Sequence, residues 1–329
     1  MAGQKIIRFL SVYLLAFAPA YQLISQENKV QIEPRPKKPD VQSREKNPRA
    51  NIRSDTSLVQ VQLTVVDPFY RLVTGLRKEI FRIYEDKVEQ EVLYLSNEDA
   101  PIAIGIVFDI SGSMGSKLKM SREAIGQFLK LANNEDKFFL VQFNDRPETV
   151  VNFTRDTGEI INKLTFAESK GHTALLDAIY LSINNMKKAG AIRKAILIIS
   201  DGGDNNSRYT ESEVKNMVRE ADVQIYAIGI FEPISNRTRS SEELAGPELL
   251  TKITESTGGR HFPVENLNDL PDVAMKIGIE LRNQYVLYYS PKNKTRDGKY
   301  RRIQVKLAQP KMLPPLKAYF RTGYYAPIE

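Results

Sequence analysis

Between positions 58 and 66 apolar and polar side chains alternate strictly, with Val59, Val61, Leu63 and Val65 on one face and Gln60, Gln62 and Thr64 on the other. A period of two marks a strand with one buried face. Asp67 and Pro68 turn the chain, and a second extended pair is predicted over 81–85 and 88–95, split at Asp86 and Lys87. The texture changes at Pro101. The run IAIGIVF, 102–108, is apolar without alternation, as expected of a parallel strand covered on both faces. Ile125, Phe128, Leu129 and Ala132 then recur at helical spacing, and 138–143 reads as another strand. Leu175, Ile179, Ile183 and Met186 predict a helix, 195–200 a buried strand, 211–221 a helix and 223–230 a strand. A further helix is expected to begin near Pro247 and end at Gly258 and Gly259, and the last to span 269–283.

Alternating strands and helices over 100–283 predict a doubly wound, Rossmann-like α/β domain with a mostly parallel sheet. Strand texture returns at 285–290, at 302–307 and at 316–321, before Gly323-Tyr324-Tyr325. Neither flank, 56–98 or 284–326, has enough strands to bury a core alone. Both are therefore expected to pack together as one β-sandwich-like unit, interrupted in sequence by the α/β domain.

The first 25 residues place Lys5 and Arg8 before an apolar run from Phe9 to Ala20, the layout of a secretory signal peptide. That run is shorter than the roughly 20 residues a membrane span needs, and Ala18 and Ala20 suit cleavage before Tyr21. Residues 26–55 carry Pro34, Pro36, Pro39 and Pro48 among charges and read as a solvated linker. The expectation is an exported protein, periplasmic or extracellular, with the envelope as an alternative site and membrane contact only through the N-terminal segment. The linker holds eight Lys and Arg against five acids, so it and Lys5 and Arg8 account for most of the formal charge of +7. A near-neutral body argues against a nucleic-acid groove.

Composition narrows the chemistry. The 329 residues contain no Cys and only His172 and His261, which excludes thiol catalysis and a zinc site of thiolates and imidazoles. What remains is oxygen. FDISGSM places Asp109, Ser111 and Ser113 on a tight loop after the first buried strand, GHTALLDAI places Thr173 before a helix, and ISDGGDN places Asp201 at another strand's carboxyl end. Sites in open α/β sheets form at that edge, so the three loops are expected to meet. Oxygen donors alone suit a hard cation, Mg²⁺ first, with Mn²⁺ and Ca²⁺ as alternatives. If the hydroxyls bind directly and the two carboxylates act mainly through water, the ion retains room for one more anionic ligand. An Asp or Glu carboxylate of a protein partner is the natural candidate.

These motifs resemble the metal-ion-dependent adhesion site of von Willebrand factor type A domains, with all five positions matched. The flanks QVQLTVVD, VTGL, IYEDKVEQ, LRNQYVLYYSP, RDGKYRRIQVK and GYYAP are similar to a bacterial subfamily, the VWFA-related proteins abundant in Acidobacteria. Tyr70 and Lys87 depart from it, standing where such sequences often carry Gly in turns. The resemblance implies metal-dependent binding of protein ligands, with shifts of the metal loops and last helix in some members.

The expected function is therefore a non-enzymatic interaction module. One alternative is an envelope assembly protein with a stabilising or empty site. A metal-assisted hydrolase ranks below it, because neither G-x-x-x-x-G-K-[ST] nor G-x-S-x-G occurs. His172 reads as a loop residue with no chemical role, the alternative being a base near a metal-bound water, and His261 reads as structural. Asp204 caps a turn or supports the centre from behind, and Asp177 complements a helix dipole or buttresses the loops. The C-terminal tyrosines read as core and rim of the β unit.

Overall fold

The computed structural model describes residues 58–97, 99–191, 193–231, 241–308 and 314–328, with side chains from 244 onward in the fourth stretch. The signal-peptide and linker readings lie outside the described residues. Among the described residues, no helix is long and apolar enough to cross a membrane.

The chain opens with β1 (Val59–Val66), β2 (Phe81–Glu85), β3 (Val88–Gln90) and β4 (Tyr94–Ser96). The single strand expected over 88–95 is instead two. β3 pairs with β2, whereas β4 pairs with β11 (Tyr285–Tyr289) in another sheet, so the chain crosses between sheets at 91–93. The two-residue turn at Asp86 and Lys87 has φ of 47° and 70°. Both values are positive, as a type I′ hairpin turn requires to match strand twist.

The central domain then alternates: β5 (Ile102–Asp109), α1 (Leu118–Leu129), β6 (Lys137–Phe143), β7 (Pro147–Thr154), α2 (Thr157–Thr165), α3 (Leu175–Lys187), β8 (Arg193–Ser200), α4 (Glu211–Glu220), β9 (Gln224–Ile230), α5 (Ser241–Ser256), β10 (His261–Val264) and α6 (Leu270–Arg282). β11, β12 (Tyr300–Leu307), β13 (Lys317–Phe320) and β14 (Gly323–Tyr325) complete the chain. Three features differ from the sequence reading. β7 and α2 were not expected. β7 is an edge strand with only Val151 fully buried, and α2 buries only Ile160 and Leu164, so neither presents a strong apolar period. The helix expected near Pro247 starts at Ser241 and carries that proline inside it.

The central sheet has the order β10-β9-β8-β5-β6-β7, parallel except for β7. Every residue of β5 is buried because the sheet is covered twice. Ile102, Ile104, Ile106 and Phe108 pack toward α1, α2 and α6, and Ala103 and Val107 toward α3, α4 and α5. Each such aliphatic side chain contributes about 1.5–3 kcal/mol when fully buried. From β5 the chain moves to β6 on one side and later returns to β8 on the other. The carboxyl ends of β5 and β8 therefore flank the topological switch point, where open α/β sheets place their ligands.

The flanks form two four-stranded sheets, β13-β1-β11-β4 and β14-β12-β2-β3. Val59, Val61, Leu63 and Val65 of β1 share one core with Phe81, Ile83, Tyr285, Leu287, Tyr289, Ile303 and Val305. Tyr289 and Tyr324 donate their hydroxyls to Glu85 at 2.7 and 2.9 Å, and Tyr285 donates to the Val73 carbonyl at 3.1 Å. These tyrosines are thus built into the sandwich.

Candidate metal centre at the carboxyl edge of the sheet

Asp109 is the last residue of β5 and is wholly buried. Its Oδ1 accepts the Ser111 N–H at 2.8 Å, and its Oδ2 accepts the Ser200 hydroxyl at 2.6 Å. The first bond closes an Asx turn that folds the loop back over the strand end. Ser111 and Ser113 then stand with their hydroxyl oxygens 3.1 Å apart, Ser111 being buried. Burial and then the charge of Asp201 push the Asp109 carboxyl up to about 7.

The three motif loops are tied by backbone hydrogen bonds. The N–H of Gly112 donates to the Gly171 carbonyl at 3.0 Å, and the N–H of Lys170 to the Ile110 carbonyl at 2.9 Å. On the other side the N–H groups of Asn205 and Asn206 donate to the Thr173 carbonyl at 3.0 and 3.1 Å, while Thr173 N–H donates to Asn205 Oδ1 at 2.9 Å. The Thr173 loop is thus clamped between the serine loop and the Asp201 loop. Gly171 makes this possible: its φ is +79°, and a Cβ there would stand 2.5 Å from the Asp145 carboxylate. Thr173 and Asp201 are both nearly buried. The structure brings the loops of all five sequence-predicted residues to one edge.

Several contributors escaped the sequence reading. Asp145, in the β6–β7 turn, accepts the His172 N–H at 2.8 Å. The strand-end rule that found Asp109 points there too, since Asp145 follows the carboxyl end of β6. Ser200 carries no signal beyond its place beside Asp201. Lys117 places Nζ 3.0 Å from Asp201 Oδ2. Nothing local announces that pairing across 84 residues of sequence.

Asp177 is buried and accepts the N–H groups of Arg208 and Tyr209 on Oδ1 at 2.9 and 3.1 Å. It therefore buttresses the loop that follows Asp201. Asp204 accepts the N–H of Ser207, which caps its own turn, and the N–H of Leu176 at the start of α3, both at 3.2 Å. His261 bonds Thr251 through Nδ1 at 2.9 Å and meets the Phe231 ring edge-on, so its role is in packing.

Among the described residues, no three His, Cys, Asp or Glu side chains form a cluster able to hold a metal. The donor set here is different: two carboxylates with three hydroxyls. A buried Asp109 whose ionisation is opposed by burial and by the charge of Asp201 is chemically suited to a hard cation, whose positive charge would relieve it. The residues present fit such an ion.

Residues 104–203 match the family model described as von Willebrand factor type A domain. The sheet order and helix layers described above are the α/β fold of von Willebrand factor type A domains. It is 28% identical over 200 residues to an uncharacterised protein of Borreliella burgdorferi, covering 54% of this chain and 57% of that protein. The match thus spans little more than half the relative's length. Among solved structures it is similar to a von Willebrand factor type A protein from Catenulispora acidiphila, with TM-score 0.49, 12% identity, and 82% and 75% of the two chains covered. It is also similar to the conserved hypothetical protein BatB from Bacteroides thetaiotaomicron, with TM-score 0.44, 20% identity and coverages of 55% and 98%. A third is the vWF domain of the type V pili tip protein Mfa5 from Porphyromonas gingivalis, with TM-score 0.43, 14% identity and coverages of 56% and 97%.

Proposed function

We propose that this protein is an exported, non-enzymatic, metal-dependent interaction module of the bacterial VWFA-related type. Asp109, Ser111, Ser113, Thr173 and Asp201 would hold Mg²⁺, with Mn²⁺ or Ca²⁺ as substitutes, and an Asp or Glu carboxylate from a protein partner would complete the coordination. The bound ion would supply a Lewis-acidic point for that carboxylate. The chain's part is to keep the donors fixed. Asp109 is oriented by Ser111 and Ser200, and the Thr173 loop is clamped from both sides. The observation that carries the reading is a wholly buried Asp109 carboxylate beside a second acid, Asp201, and a pair of serine hydroxyls.

The test is calorimetric titration of EDTA-treated protein with Mg²⁺ and Mn²⁺, beside Asp109→Ala. Saturable binding lost in the variant supports the reading, and capture of a partner in Mg²⁺ but not in EDTA supports its second half. Absence of binding by folded wild-type protein contradicts it.

One observation favours a second reading, an assembly protein whose centre needs no metal. The Lys117 ammonium already neutralises Asp201.

A further inference from the structure

The centre contains a cation of its own. The side chains of Lys117 and Asp201 are only 12% and 7% exposed, and the ammonium lies 3.0 Å from the carboxylate. Lys117 is also the N-cap residue of α1, a helix with no acidic residue in its first turn. A cation at the N-terminus of a helix opposes the helix dipole, and a buried ammonium is costly unless paired. Lys117 is thus held against two unfavourable terms, and its ion pair with Asp201 is the contact that offsets them.

The charge balance follows. With both carboxylates ionised, as a bound divalent ion would hold them, Asp109 and Asp201 with Lys117 present one net negative charge to that ion. Without the ammonium there would be two. The α1 terminus adds its own positive potential on the same side. A centre built for the tightest possible ion binding would carry no lysine at this point.

Building on the metal-dependent reading above, we propose that Lys117 is a positioning residue that sets the affinity of the centre. Its ammonium holds Asp201 in place when no ion is bound and competes with a divalent ion for that carboxylate. Loading is thereby kept weaker and more responsive to ion concentration than the five oxygen donors alone would make it. A unit charge within several ångströms, at an effective dielectric of about 20, changes affinity by about tenfold or more.

The experiment uses the full chain, stripped with EDTA, as wild type, Lys117→Met and Lys117→Arg. Mg²⁺ and Mn²⁺ binding is followed by calorimetry, and thermal unfolding is measured in EDTA. Lys117→Met is expected to bind both ions at least about tenfold more tightly and to unfold at a lower temperature in EDTA. Lys117→Arg, which keeps the charge, is expected to stay within about threefold of wild type in both ions. Lys117→Gln serves in place of Lys117→Met if the methionine variant fails to fold. A folded, charge-free variant with unchanged or weaker ion affinity overturns the proposal while leaving the metal centre standing. Absence of binding by wild type and by the folded charge-free variant overturns the metal-dependent reading itself, and the role of Lys117 with it.

Discussion

Ser200 donates its hydroxyl to Asp109 Oδ2 at 2.6 Å, joining the ends of two adjacent parallel strands 91 residues apart in sequence. The same oxygen accepts the Gly202 N–H at 3.0 Å, so one hydroxyl fixes both the buried acid and the first turn of the Asp201 loop. Ser200→Ala should cost about 2–3 kcal/mol in urea unfolding, since it strips a short bond from the buried Asp109 carboxyl and orphans a buried N–H. It should also weaken divalent-ion binding by about tenfold or more, as loss of an orienting partner does. Calorimetry and denaturation on the same preparation check both.

The hairpin turn at Asp86 and Lys87 offers a test of backbone strain. Lys87 sits at φ 70°, a left-handed conformation that costs a side-chain-bearing residue about 1–2 kcal/mol. Lys87→Gly creates the Asp-Gly pair that type I′ turns favour. It should stabilise the protein by about 0.5–1 kcal/mol after the added chain entropy is subtracted. Tyr70, at φ 57°, should respond less, because its ring also lies 5.4 Å from the Arg260 guanidinium.

Arg260 and Glu280 form a buried ion pair at 2.7 Å. The guanidinium also lies 4.6 Å from the Phe262 ring and 4.7 Å from the Tyr319 ring, so it links the α/β domain to the sandwich. Removing one partner leaves an uncompensated buried charge. Glu280→Ala should therefore cost about 3–5 kcal/mol, while Arg260→Met combined with Glu280→Leu should recover much of that loss. A double variant as unstable as the single one would show that the charge itself is needed.

Burial holds His261 down at about 4, below the ordinary imidazole value of 6.5. The folded chain disfavours protonated imidazole, so stability is lost as the pH falls through the window from 6.5 to 4. The loss should be about 2 kcal/mol, discounted for the partly exposed ring. Because Nε2 is buried with no hydrogen-bond partner among the described residues, His261→Phe should flatten this acid limb at little cost near pH 7. An unchanged slope in the variant would assign the effect to other groups.

Much of the architecture can be read from local pattern. The unbroken apolar run of β5 and the stripe of α3 are direct consequences of double-sided and single-sided burial. β7 and α2 were not legible because an edge strand and a short surface helix bury few side chains. The break between β3 and β4 was hidden because residues 88–96 hold no Gly or Pro to mark where the chain changes sheets. Asp109, Ser111, Ser113, Thr173 and Asp201 could be proposed from strand ends and loop composition. Lys117 could not, since its meaning lies in a carboxylate brought near only by folding. Tyr70 and Lys87 were conspicuous as non-glycine turn residues, and both adopt the positive φ that makes glycine the usual choice there.

The central claim is that five oxygen donors on three loops bind one divalent ion. Calorimetric titration of the EDTA-stripped chain with Mn²⁺ tests it most directly, with Asp109→Ala as the control. The account predicts one saturable site per chain, absent from the folded variant. A wild-type protein that is folded yet takes up no ion, or an Asp109→Ala variant that binds as well as wild type, would contradict it.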